Sequence, residues 1–529
     1  MLKIKNRIKK LLSVFFLIST LPLVIVSCSK SDNMPADTSA NNGNSLKVGL
    51  FFLNYSLDPK DYFNGWILVR VGAGETLLRL DDKGSLIPAL AEQFKVINKT
   101  TYELTLKQGI KFSDASELNA DMVKRNLERI FAQSPRAAQY FEPLKISADN
   151  TKRTITIYTK KPCPELFYNL CEPLFAVIKL PESNQDLTVS LPVTTGPYQI
   201  SSFTPNEHIQ VTPNPYFRDG KAPLSSIDFY YIPDAQSRLI SLKAGDLDII
   251  TTVDYPDFKL LQNDSAFNTQ STPGPRTDVV YLNHNNEFLK QKIIRKAISF
   301  AINRNEIAQL TGSEAASGVI SPHFDFGREI TPTDYNPSLA ASLLDTAKII
   351  DLNHDGIREF NGQNIELNYR LKSDHGSADS LIIAQCIKED LAAQGIKVNL
   401  IQTENLSAAI SASDFDLCSA NDSALPTGDS GYFLKSRYHS KGDANFGHYA
   451  NQDLDALLSK LEESFERNKR IELTSQIAAL LNEDVAALYI SYPKLNIVSS
   501  NKVKDLHLYT FDYYLIDSKV NVDAGTFTN

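Results

Sequence analysis

The sequence predicts a mixed α/β protein built as several lobes. Three observations predict it. The 529 residues exceed the usual size of one domain. Short strand-like and helix-like patterns follow each other without an internal repeat. The strand-like segments are of two kinds, continuously apolar and alternating, so some sheets are expected to be covered on both faces and others on one.

The elements can be taken in chain order. Residues 1–10 carry Lys3, Lys5, Arg7, Lys9 and Lys10 and no acid, and an apolar stretch runs from Leu11 to Val26. A basic segment followed by an apolar one of this length is the layout of a secretory signal. It is short of the ~20 apolar residues of a spanning helix, and Pro22 interrupts it. The stretch ends in Ile25-Val26-Ser27-Cys28, which resembles the lipobox of bacterial lipoproteins and implies a lipid on Cys28. The Asn-, Ser-, Gly- and Asp-rich residues 29–45 then read as a flexible tether.

From Leu46 the pattern becomes globular. Lys47–Phe52 reads as a strand covered on both faces, whereas Tyr102–Lys107 and Thr154–Tyr158 alternate as half-buried strands do. Asn119-Ala-Asp121 opens a helix that continues through Val123, Leu127 and Ile130. Leu242-Lys-Ala-Gly245 ends another, with Gly245 as its cap before a strand at Ile249-Ile250. Thr195-Gly-Pro-Tyr reads as a turn, and Arg295 and Arg304 as partners in structural ion pairs. Two late helices place Leu454, Leu457, Leu458, Leu461 and Phe465, then Leu473, Ile477, Leu480 and Leu481, on single faces.

Composition narrows the function classes. Net charge is −8, and five of the 54 basic residues precede Cys28, leaving 49 against 62 acids, or −13. An acidic chain without a basic run argues against nucleic acid as a partner. Cys163 and Cys171 form either a local disulfide, if the compartment is oxidising, or two free thiols; Cys386 and Cys418 read as core positions in a helix and a strand. Val71-Gly-Ala-Gly74 lacks the third glycine of a dinucleotide loop, because Leu77 stands there. Asp351-Leu-Asn-His-Asp355-Gly356 begins like a calcium loop, but Gly362 replaces the closing Glu, so a turn held by Asx hydrogen bonds is expected. No nucleophile elbow, Walker loop or zinc-protease motif occurs, and eight His with three Met give no support to a direct soft-metal site.

Several segments in order resemble the extracellular solute-binding proteins of family 5, the receptors of ABC importers for oligopeptides, dipeptides and nickel complexes. They are Glu75-Thr-Leu-Leu-Arg79 with Pro88-Ala-Leu-Ala-Glu92; Tyr102–Asp114 with Leu118–Val123; Thr195–Tyr198; Pro233-Asp-Ala235; Tyr281-Leu-Asn283 leading into Ile294–Arg304; and Asn451–Leu458 with Arg470. The resemblance implies a two-lobed periplasmic-binding-protein (Venus-flytrap) fold, type II or cluster C, with an extra inserted domain. It implies a first lobe from 46–78, 192–275 and 492–529, an insertion at 79–191 and a second lobe at 276–491. It further implies a monomer without cofactor, partnered with an ABC permease and ATPase, tied to the membrane through the lipid alone and facing the periplasm or the exterior.

The solute is less legible. Peptide-binding members of the family use a carboxylate for the peptide's amine, and Asp422 stands nearest that position, with Asp429 and Tyr432 following. Tyr281, Asn283, Tyr438 and His439 complete the ligand-binding candidates, His439 and His448 lying in a stretch with Arg437. The expected solute is peptide-like. A nickel or metallophore complex is the alternative within the family, suggested by Glu172-Pro-Leu-Phe175, although no cation is evident beside that segment to hold a chelator's carboxylates. A surface-anchored peptide hydrolase is the alternative from another class. No resident metal is expected.

Overall fold

A computed structural model describes residues 44–142, 144–181, 191–372 and 379–523. Cys28, the signal segment and nearly all of the tether lie outside the described residues. Three larger sheets organise the rest.

The first sheet has seven strands, in the order Phe267–Pro273, Lys494–Ser500, Ile249–Thr251, Ser45–Leu50, Ser226–Tyr231, His208–Pro213 and Tyr198–Thr204. Ser45–Leu50 lies centrally and runs parallel to both neighbours. Leu46, Val48 and Leu50 are fully buried on one face, and buried Gly49 on the other lies against Leu247, so the strand is covered on both faces. The strand is shorter than its sequence suggests. Phe51 lies past the sheet edge and is 41% exposed, because the chain there turns out of the sheet.

The second sheet has six strands, in the order Glu314–Ala315, Ala487–Tyr492, Arg276–Leu282, Leu417–Ser423, Glu366–Lys372 and Lys397–Thr403. The third is an antiparallel sheet of Ala91–Asn98, Thr101–Leu106, Thr154–Tyr158 and Lys145–Asp149. Its alternating strands bury Tyr102, Leu104 and Leu106, with Ile155 and Ile157, against the Ala120–Gln133 helix, which Asn119 caps by accepting the Met122 amide at 2.9 Å.

Two chain segments cross between the first and second sheets. Phe267–Pro273 passes through Gly274 and Pro275 into Arg276–Leu282, and Ala487–Tyr492 passes through Pro493 into Lys494–Ser500. The crossings run side by side, since Pro273 pairs with Lys494 and Asp278 with Ser491. Prolines at both leave few backbone amides to pair there, and a Cβ on Gly274 would come within 3.3 Å of Leu495. Arg276, at the crossing, bonds Asp512 at 3.3 Å and through it neighbours Arg70.

One apolar cluster runs from the third sheet into the second, joining Phe167 and Leu170 to Leu458, Leu461 and Leu473, and reaching Phe511 and Tyr513. The long helices of residues 452–463 and 467–484 contribute Leu454, Leu458, Leu461, Leu473, Ile477 and Leu481 as their sequence periodicity predicts. Arg295 and Arg304 differ from expectation. Arg295 donates to the backbone carbonyls of Leu289, Lys290, Asp484 and Val485, and Arg304 to those of Ser299 and Tyr489. Carbonyls stranded at helix ends and strand edges thus take the place of carboxylates. The Asp351 turn is closed by Asx bonds, with the Asp355 and Gly356 amides donating to Asp351. All four cysteines from Cys163 onward are free. Among the described residues no helix is long and apolar enough to cross a membrane.

His284 follows the Arg276–Leu282 strand and donates from Nε2 to the Ala486 carbonyl at 3.0 Å. Burial, then the nearby Arg295, lowers its pKa from 6.5 to about 4. Below pH 6.5 the unfolded chain binds a proton that the folded chain refuses. Stability associated with His284 is therefore complete above pH 6.5 and is lost as the pH falls towards 4. Thermal unfolding between pH 7 and 4.5 is expected to fall more steeply for the parent than for His284→Gln; equal slopes would exclude this role.

Candidate functional site

The candidate site lies where side chains from all three sheets' neighbourhoods meet, and its first anchor is Glu172. This residue precedes the short helix Pro173–Phe175 and caps it, accepting the Leu174 amide. It is fully buried and also receives Trp66 Nε1 at 2.7 Å and Arg136 Nη2 at 2.7 Å. Burying a carboxylate is costly unless a cation and hydrogen bonds answer it, and Glu172 has both. The helix Asn64–Arg70 reaches it because residue 65 is glycine: a Cβ there would fall 2.0 Å from the Pro173 carbonyl oxygen. Arg136 follows the end of the Ala120–Gln133 helix, lies over Phe63 at 4.2 Å and donates to the Tyr62 carbonyl. Phe63 and Trp66 meet edge to face at 5.4 Å, as do Tyr55 and Tyr62 at 6.0 Å. Tyr55, Tyr62 and Phe63 are 50%, 66% and 42% exposed. These exposed rings form a candidate binding surface.

The opposite wall comes from the second sheet. Asp422, near the end of the Leu417–Ser423 strand, accepts the Tyr281 hydroxyl and two bonds from Arg437, Nε at 3.1 Å and Nη2 at 3.3 Å. Arg437 projects from the Gly431–Tyr438 helix and rests on Phe446 at 4.6 Å. Burial, then the Asp422 carboxylate, pushes the Tyr281 hydroxyl well above its ordinary pKa, so it stays a donor. Tyr432, about one turn earlier on the same helix, packs at a tilt on Tyr140, ring centroids 4.6 Å apart, and joins the walls. Burial, then the Asp443 carboxylate, raises the Tyr432 pKa to about 12, while Arg437 and Arg136 act on it in the opposite direction.

The structure thus brings together Tyr281, Asp422 and Tyr432, with Tyr438 buried behind them. It places three other candidates elsewhere. Asp429 is buried in a two-point ion pair with Arg470, Nε to Oδ2 at 2.8 Å, and its Oδ1 also accepts the Gly431 amide. Asn283 braces a turn, donating to the Phe415 carbonyl and accepting from the Asn285 amide. His439 ends the Gly431–Tyr438 helix and accepts the Lys441 amide. One residue of this wall is not legible along the chain. Arg136 is the cation beside Glu172 that was not evident along the chain, because it lies 36 residues away. The cluster of aromatic residues at Tyr55, Tyr62, Phe63 and Trp66 is the sequence signal that could have found this wall.

The model of the bacterial extracellular solute-binding proteins, family 5 (middle), matches residues 85–445. The chain belongs to this family. Among curated relatives, the nickel-binding protein NikA of Staphylococcus aureus is 27% identical over 91% of this chain and 95% of its own length. The oligopeptide-binding protein AppA of Bacillus subtilis is 25% identical over 92% and 94%. The crystal structure of the S. aureus NikA with Ni(L-His)2 superposes with a TM-score of 0.77 and 26% identity, over 91% of this chain and all of that one. The family 5 fold of the chain is therefore the two-lobed periplasmic-binding-protein fold.

Trp66 is the only tryptophan. Its indole sits on the aromatic wall, so solute entering the site is expected to change the protein's intrinsic emission. Glu172→Gln, which weakens the grip on both Trp66 and Arg136, is expected to shift the emission of the empty protein and to lower solute affinity by about tenfold. Unaltered emission and affinity would exclude Glu172 as the organiser of this wall. Arg470→Met, by contrast, strands Asp429 in the core and is expected to cost about 3–5 kcal/mol of stability in denaturant titration.

Proposed function

We propose that the chain is the lipid-anchored, non-enzymatic substrate-binding component of an ABC importer. It closes on a small amino-acid-derived solute bearing a carboxylate and delivers it to the permease and ATPase. The observation that carries this reading is the pair of guanidiniums, Arg136 and Arg437, held on opposite walls around Tyr140 and Tyr432, with exposed aromatic rings beside them. Guanidinium forks bind carboxylates with directionality, and aromatic faces cover the apolar body of a small solute.

Short peptides and amino-acid chelates of a metal share this chemistry, as the names of the relatives do. A metal, in this reading, enters as an amino-acid chelate, whose carboxylates the guanidiniums meet. In this reading Cys28 carries the lipid and the tether keeps the receptor beside its transporter. Residues 46–78, 192–275 and 492–529 form one lobe and 276–491 the other, with 79–191 inserted. The paired crossings at Gly274 and Pro493 act as the hinge.

Native mass spectrometry of the protein from its own source is expected to reveal a co-purified solute. Separate titrations with short peptides and with nickel–histidine complexes distinguish the two sources. The matching solute is expected to raise the melting temperature with its concentration and to leave no cleaved product. Product formation, or the absence of any stabilising carboxylate-bearing solute, would overturn the proposal.

A further inference from the structure

We infer that the site recognises its solute through the solute's carboxylate and apolar parts and offers no carboxylate to a free ammonium group, because arginines of the chain already occupy both acids of the walls. This inference rests on the reading of the cleft given above.

The two acids are Glu172 and Asp422. Glu172 is fully buried, and the Leu174 amide, the Trp66 indole and Arg136 take its oxygens. Asp422, whose side chain is 12% exposed, accepts Tyr281 and both Arg437 nitrogens. An incoming ammonium would have to displace a guanidinium that is already in place and held between Phe446 and Phe433. It would gain one charge-assisted bond for the two lost. Neighbouring acids are similarly engaged. Asp58 is bound by Arg129, Asp61 by Lys60 and Glu142 by Lys161. Asp443, which also acts on Tyr432, takes the Ser436 hydroxyl at 2.6 Å and is exposed to water, where a charge pair contributes little.

One of the two cations retains capacity. Arg437 uses Nε and Nη2, and among the described residues its Nη1 donates to no protein acceptor. Arg136 uses Nη1 and Nη2 on the Tyr62 carbonyl and Glu172 and also bonds the Tyr140 hydroxyl. Arg437 can therefore add a solute carboxylate to the partner it holds. Arg437 is the specificity-determining residue in this arrangement, since it both closes Asp422 to amines and presents a donor to anions.

The test uses the whole secreted chain and short peptides in three forms: unmodified, N-acetylated and C-terminally amidated, with the nickel–histidine complex as a fourth probe. The parent is expected to bind unmodified and N-acetylated peptides within about threefold and to lose about tenfold on amidation. Arg437→Met releases Asp422 and is expected to prefer the free amine over the acetylated form by about tenfold, while Arg437→Lys, which keeps a cation beside Asp422, remains indifferent. Matching melting curves establish that the variants are folded. If the parent binds the nickel–histidine complex alone, amines masked by the metal are accepted and the inference stands. A parent that needs the free amine would overturn the inference alone, provided that the Arg437 variants still alter binding. Variants that bind every probe as the parent does, or a parent that binds none, would overturn the site reading as well.

Discussion

The burial of Glu172 is the constraint on which the candidate site depends. A carboxylate with no solvent access must find its counter-charge and donors within the protein. Meeting that need fixes three separate pieces of chain. The helix of residues 64–70 must approach closely enough for Trp66 to donate, which Gly65 permits. Arg136 must fold back from the end of a helix more than thirty residues upstream. The Pro173–Phe175 turn must form where its amide can be capped. The exposed aromatics then follow, because Arg136 lies over Phe63 and holds the Tyr62 carbonyl. Such an arrangement favours specificity of geometry over net stability, since a buried ion pair repays little more than its desolvation.

The second wall obeys the same logic with different residues. Asp422 sits less deeply and is satisfied by a tyrosine and an arginine from adjacent elements of one sheet and helix. The two walls are thus separately neutral, and each carries its cation outermost. They meet at the tilted Tyr140–Tyr432 ring pair, a contact without a charge, beside the apolar cluster that joins Phe167 and Leu170 to Leu458 and Leu461.

Much of the fold was legible in the sequence because it depends on local periodicity. The alternating strands at 101–106 and 154–158 and the helices at 452–463 and 467–484 bury the faces that their spacing marks. The Asn119 and Gly245 caps are likewise local chemistry. The site was less legible because it is made of contacts distant in sequence. Asp429 and Asp422 look alike along the chain. One is closed by Arg470, forty-one residues on, and the other by Arg437 on the next helix. Asn283 and His439 carry ligand-like groups, but the turn and helix end beside them use those groups first. Phe51 and Phe52 continue the apolar run of Ser45–Leu50 by two residues, but the strand ends before them: Phe51 is exposed and Phe52 packs against the core from the following loop.

The place where the chain enters the fold has a mechanical consequence. Ser45–Leu50 is a central strand of the seven-stranded sheet, bonded on both sides by parallel partners. A load applied at residue 44 would pull along this strand and be shared in shear by two ladders, the strongest way to load a sheet. Whatever grips the N-terminal end therefore grips that half of the molecule firmly. Along the chain, the first sheet passes that load to the second through the two adjacent crossings at Gly274 and Pro493.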